Sequence, residues 1–134
     1  EGDPARYPVK APKVAKPARR GIAFLAVRTD GAVLLRTRPP KGLLGGMTEV
    51  PSTPWTVAGA DGADHAPLPA SWRRLPGEVG HVFTHFSLAL EVRRADLPAG
   101  TPAPEGARWV LPRDFDAQAL PSVMRKILVH GRID

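Results

Sequence analysis

A chain of 134 residues, 43% hydrophobic and 24% charged, can close one core and is too short for two full domains. Sixteen prolines and thirteen glycines exclude a long helical bundle or coiled coil, and the lack of cysteine excludes a disulfide framework, a thiolate-held iron–sulfur cluster and a cysteine zinc site. The net charge of +6 is concentrated: residues 1–20 carry Arg6, Lys10, Lys13, Lys16, Arg19 and Arg20 against Glu1 and Asp3, whereas the rest carries 13 basic and 11 acidic side chains. Such an arm suits a polyanion, and it equally suits a solvated linker kept extended by its charges. The lack of cysteine makes a cytoplasmic location the expectation, and with no apolar run near the roughly 20 residues that span a bilayer and no signal-peptide-like stretch in the first residues a soluble domain is expected.

In chain order, residues 7–17 alternate prolines with lysines and have no amphipathic period, which predicts an extended linker. The apolar runs Ile22–Val27 and Ala32–Leu35 flank Asp30-Gly31, the signal of a β-hairpin. A basic turn follows, Arg36-Thr37-Arg38-Pro39-Pro40-Lys41-Gly42, then Leu43-Leu44-Gly45-Gly46, whose paired glycines imply close backbone approach or positive φ. Residues 51–80 are rich in Pro, Gly and Ala and suggest at most one short helix near Ala70–Arg74. A long strand is expected next, with Val82, Thr84, Phe86, Leu88, Leu90 and Val92 on a core face and His81, Phe83, His85, Ser87, Ala89 and Glu91 on the other. Arg108–Leu111 reads as a short strand and Asp114–Ala119 as a helical turn. Leu120, Val123, Met124, Ile127 and Leu128 then describe a closing amphipathic helix, with Pro121 in its first turn and Gly131 past its end.

Candidate chemistry narrows quickly. No G-x-S-x-G setting for a nucleophile is present. On one extended strand His81 and His85 would stand about 13 Å apart at ~3.3 Å per residue, too far to share a metal ion. Glu78, Glu91, Asp114 and Asp116 share no face that would pair them as general acid and base. Gly42–Gly46 lacks the Lys-Ser/Thr ending of a P-loop. Phe83-Thr84-His85 sets an aromatic, a hydroxyl and an imidazole in a row, a trio able to wedge a base step and hydrogen-bond base edges or phosphates. The plainer reading of the same trio is one inward Thr between two outward side chains.

Three blocks together carry a resemblance: Tyr7-Pro8-Val9-Lys10 leading to Arg19-Arg20-Gly21, Arg38 through Pro51, and His81-Val82-Phe83-Thr84-His85-Phe86, followed by Ala119-Leu120-Pro121-Ser122. The chain resembles the C-terminal domain of the MutY-type adenine DNA glycosylases, which remove adenine mispaired with 8-oxoguanine. The resemblance implies a Nudix-like, MutT-related α/β/α sandwich with a mixed β-sheet over residues 21–134, behind a linker of residues 1–20. It implies that Phe83, Thr84 and His85 contact 8-oxoguanine in DNA, with Thr84 in place of the family's Ser. It makes Arg19, Arg20, Arg36, Arg38 and Lys41 candidates for phosphate or interdomain contact. Thr48 stands where the family often has an aromatic residue. The implied partners are double-stranded DNA carrying 8-oxoguanine opposite adenine and the catalytic domain of the same longer protein, with no membrane. No catalytic residue, metal or cofactor is expected in this chain, since the family's helix-hairpin-helix domain and 4Fe-4S cluster lie in the other part. A Nudix pyrophosphohydrolase would require a glutamate cluster, and after Gly42 only Glu49 precedes Asp61 and Asp64. A non-catalytic protein-interaction module, docking through residues 51–80, is the third reading.

Overall fold

The computed structural model describes residues 16–59 and 61–133, so the expected linker lies outside them as far as residue 15. Strands β1 (Ala18–Arg28), β2 (Val33–Thr37), β3 (Thr48–Glu49), β4 (Arg73–Arg74), β5 (Val79–Val82), β6 (Ser87–Leu97) and β7 (Ala107–Val110) form one mixed sheet, and helix α1 (Ser122–His130) packs on it. The order is β3-β2-β1-β6-β4, with β5 also on β6 and β7 on β2. Its spine is the parallel pairing of β1 with β6, from Ala18 opposite Ser87 to Arg28 opposite Leu97. All other strand pairs are antiparallel.

Because side chains alternate along a strand, this register sorts the two faces. Ala23, Leu25 and Val27 of β1 join Leu88, Leu90 and Val92 of β6 in one cluster, closed by Val123, Met124, Ile127 and Leu128 of α1. On the opposite face Ala26, Leu34 and Leu97 pack under Leu68, Ala70, Trp72 and Trp109, and Phe24 meets Trp72 edge to face at 5.2 Å. Of the flanking helices expected, the described residues contain α1 and 3-10 turns at Ala63–His65 and Pro112–Ala117. The face away from α1 is therefore covered by irregular chain.

The hairpin at Asp30-Gly31 forms as the sequence predicts, with Val27 opposite Val33 and Gly31 at φ 91°. The Gly45-Gly46 pair meets both expectations: Gly46 has φ 74°, and a Cβ on Gly45 would lie 2.5 Å from the Pro40 carbonyl oxygen. Three expectations are corrected. β1 begins at Ala18, inside the segment read as linker, so Arg19 and Arg20 belong to the sheet. The short helix near Ala70–Arg74 is replaced by Leu68, Ala70 and Trp72 facing the core at a period of two and by β4 pairing Arg73 and Arg74 with β6. The long strand across residues 81–92 is two strands: Val82 pairs with Ser87, and Phe83 N–H donates to the Phe86 carbonyl at 2.8 Å, closing a tight turn. Val82, expected in the core, is 67% exposed, while Phe86, Leu88, Leu90 and Val92 are buried.

Leu90 is fully buried in the cluster beneath α1. Leu90→Ala is expected to cost about 2–5 kcal/mol, read as a lower urea midpoint with an unchanged slope.

Candidate nucleic-acid interface

The β5–β6 turn sets Phe83, Thr84 and His85 at the tip of a two-stranded stem. Thr84 and His85 are exposed, and neither side chain has a hydrogen bond or ion pair among the described residues. Phe83 leans back: its ring stacks on Phe86 at 4.7 Å and 28° and on Trp55 at 6.0 Å and 30°, while His81 meets it edge to face at 4.7 Å. The Phe83 carbonyl accepts a hydrogen bond from Lys16 Nζ at 3.0 Å. Because His85 sits in this turn and not on a strand with His81, the separation expected for an extended strand does not apply.

The aromatic row ends in a cation on each side. The Arg19 guanidinium lies 4.2 Å over the Phe86 ring, and that of Arg38 lies 4.9 Å over Trp55. Such contacts are worth about 0.5–1 kcal/mol each at exposed sites, and each aromatic pair ~0.5–1.5 kcal/mol beyond burial. Trp55 was not among the residues expected from sequence. It lies in the aperiodic stretch 51–80, and what seats it comes from elsewhere. Arg20 N–H donates to the Thr56 carbonyl at 2.8 Å and Thr56 N–H to the Arg20 carbonyl at 3.2 Å, laying this stretch along β1. Gly21 then leaves room for the indole, since a Cβ there would stand 2.7 Å from Trp55 Cδ1. The indole N–H donates to Ser52 Oγ at 3.2 Å.

The five basic candidates divide. Arg19, Arg36 and Arg38 line one recess of about 440 Å³ together with Trp55 and His65. Arg20 projects from the other side of β1, where it pairs with Glu78 at 2.6 Å, so the structure does not bring it to this recess. Lys41 is exposed in the glycine-rich loop. Arg36 and Arg38 are not free cations. Glu49, 4% exposed, accepts from Arg36 Nε and an Arg38 terminal nitrogen at 2.7 Å each. Arg36 also donates to the Ser52 carbonyl and Arg38 to that of Leu43, fixing both guanidinium planes. Thr48 carries the polar alternative to the family's aromatic residue, its hydroxyl accepting from Arg108 at 3.0 Å. The His81 imidazole lies below its ordinary pKa of 6.5 because it is partly desolvated and because the Lys126 ammonium stands 3.1 Å from Nδ1.

A family model of the NUDIX domain matches residues 22–130. The chain belongs to the NUDIX domain family. Among curated proteins it is 33% identical over 138 residues to human adenine DNA glycosylase, covering 90% of this chain and 25% of that protein, and 34% identical over 142 residues to the mouse protein, covering 92% and 27%. The chain thus spans about a quarter of the length of these relatives. Among solved structures, the C-terminal domain of mouse MUTYH, determined in complex with human PCNA, superposes with a TM-score of 0.65 at 26% identity over 85% of this chain and 87% of that one. The MutT protein of Methanosarcina mazei matches with a TM-score of 0.64 over 90% of this chain and 97% of that one, and at 14% identity it speaks to fold alone. The likeness to the C-terminal region of MutY-type glycosylases is therefore found in sequence and in structure. Residues able to hold the divalent ion of a pyrophosphohydrolase are another matter. Among the described residues no three His, Asp or Glu side chains converge on a metal position, and Glu49 is held by two guanidinium groups. The described side chains do not assemble such a site.

Two outcomes test this geometry. Glu49→Ala leaves Arg36 and Arg38 without their shared acceptor and is expected to cost about 2–4 kcal/mol, read by denaturant titration. For His81, a folded-state pKa below the unfolded value means that the folded chain binds fewer protons in mild acid. Its contribution is full above pH 6.5 and declines as pH falls through the folded pKa. The difference in Tm between wild type and His81→Gln should therefore shrink or reverse between pH 7.5 and pH 5.5, and a difference independent of pH refutes the assignment.

Proposed function

We propose that this NUDIX domain is the lesion-recognition domain of an adenine DNA glycosylase, reading 8-oxoguanine opposite adenine in duplex DNA. The observation that carries the reading is the β5–β6 turn: Thr84 and His85, whose side chains have no hydrogen-bond partner among the described residues, stand at the tip of a stem backed by a cation-flanked aromatic stack. The relatives add the substrate class, since both curated proteins are adenine DNA glycosylases.

The chemistry follows from how the lesion differs from guanine. Oxidation at C8 turns N7 from an acceptor into an N–H donor and adds a carbonyl oxygen. A hydroxyl has one donor and two acceptor positions, so Thr84 can accept from N7–H, an interaction guanine does not offer. The β-methyl of Thr84 restricts χ1 more than the family's Ser would and narrows the approach of that hydroxyl. His85 can donate to O8 or to a phosphate. Phe83, expected from sequence to wedge a base step, instead backs the tip through its stack on Phe86 and Trp55 and sets where Thr84 and His85 stand. Arg19 and Lys41 would contact the phosphate backbone, which positions the domain and carries no sequence information of its own.

In this reading the domain performs no bond cleavage. Extrusion of adenine and hydrolysis of its glycosidic bond belong to the catalytic part of a longer protein, which is the second partner. A 4Fe-4S cluster likewise belongs there, because this chain has no thiolate to ligate it.

The test joins the domain to a matching catalytic domain and compares single-turnover adenine removal opposite 8-oxoguanine and opposite guanine. The triple variant Phe83→Ala/Thr84→Ala/His85→Ala should slow removal opposite 8-oxoguanine by about 10- to 100-fold, equivalent to ~1.4–2.7 kcal/mol, with little change opposite guanine. Unchanged discrimination in a folded variant would remove these residues from lesion reading.

A further inference from the structure

We propose that Trp55 is a positioning residue for lesion discrimination: it is the fixed plane against which Phe83 is held, so that Thr84 and His85 reach the lesion edge in one geometry. This rests on the reading of the β5–β6 turn as the lesion reader and adds a residue from a different segment to it.

The argument starts from what is fixed and what is not. A four-residue turn closed by one backbone hydrogen bond, Phe83 N–H to Phe86 carbonyl, restrains the tip poorly. The Phe83 ring anchors the tip to the sheet face through Phe86 on one side and Trp55 on the other, beside the Lys16 hydrogen bond to the Phe83 carbonyl and the edge contact of His81. Phe86, buried in the core cluster, belongs to the same turn, whereas Trp55 comes from a different segment. Its backbone is tied to β1 through the Arg20–Thr56 hydrogen-bond pair, its indole N–H to Ser52 Oγ, and its ring rests where Gly21 has no side chain. Behind it stands Arg38, whose position is set by buried Glu49 and the Leu43 carbonyl. A rigid line therefore runs from Glu49 through Arg38 and Trp55 to Phe83. Trp55 is partly buried and meets the Phe83 ring face to face at 6.0 Å and 30°.

The experiment uses the full chain and two DNA duplexes, with adenine opposite 8-oxoguanine or opposite guanine, and measures affinity by fluorescence anisotropy. Trp55→Leu fills the space without a planar ring, Trp55→Phe restores a ring, and Phe83→Ala tests the reader itself. Trp55→Leu is expected to lose about tenfold of the preference for the 8-oxoguanine duplex while its affinity for the guanine duplex stays within about twofold, and Trp55→Phe to recover most of the loss. In the chain labelled with 5-fluorotryptophan, the Trp55 fluorine resonance, assigned by its loss in Trp55→Phe, should shift with the 8-oxoguanine duplex and stay in place with the guanine duplex. If Phe83→Ala abolishes the preference and Trp55→Leu retains it, the role of Trp55 is refuted and the reader stands. If Phe83→Ala retains the preference, both fall. Equal weakening toward both duplexes, or no recovery in Trp55→Phe, also overturns the proposal.

Discussion

The parallel register of β1 on β6 is the constraint from which the rest of the molecule follows. It decides which residues of two distant segments share a face: Ala23, Leu25 and Val27 with Leu88, Leu90 and Val92 beneath α1, and Phe24 and Ala26 with the residues under Trp72. It also brings Arg19 to the level of Leu88 and thereby beside the Phe86 ring at the foot of the β5–β6 turn. A shift of one residue would exchange every side chain between the faces, moving Arg19 off the aromatic row and placing Arg20 on it.

Elements with a strong local signal were legible. The Asp30-Gly31 hairpin and α1, with Pro121 before it and Gly131 after it, need only turn chemistry and a 3.6-residue period. The β5–β6 hairpin was not, because alternation of two continues unchanged through residues 82–92 and a tight turn lacking glycine, asparagine or proline leaves no mark on it. The irregular cover of the second face was hidden for a related reason. Leu68, Ala70 and Trp72 are held by the sheet below them, and no neighbour in sequence announces it.

The candidate interface was legible in part, and the parts came by different routes. Residue type alone makes Phe83, Thr84 and His85 a base-contacting candidate beside a plainer structural reading, and the family likeness adds the lesion as its target. The division of the basic residues required coordinates. Arg19 and Arg20 are adjacent in sequence and lie on opposite sides of a strand, and Arg36 and Arg38, candidates for phosphate or interdomain contact, share the buried Glu49. Trp55 escaped notice because its seat is a glycine in β1, and an empty space in one segment says nothing about the ring that another segment will put there.

The enclosure of Glu49 means that ionic strength divides this surface into two regimes. Mobile ions screen charges in open solvent within a Debye length of about 8 Å at physiological salt, whereas a carboxylate enclosed by protein is much less affected. Concentrated salt would therefore weaken attraction between the outward cations and a polyanion, while leaving Arg36 and Arg38 on Glu49 and the Trp55–Phe83 stack in place. The shape of the surface and its attraction for any charged partner are thus separately adjustable: salt would tune the second without altering the first.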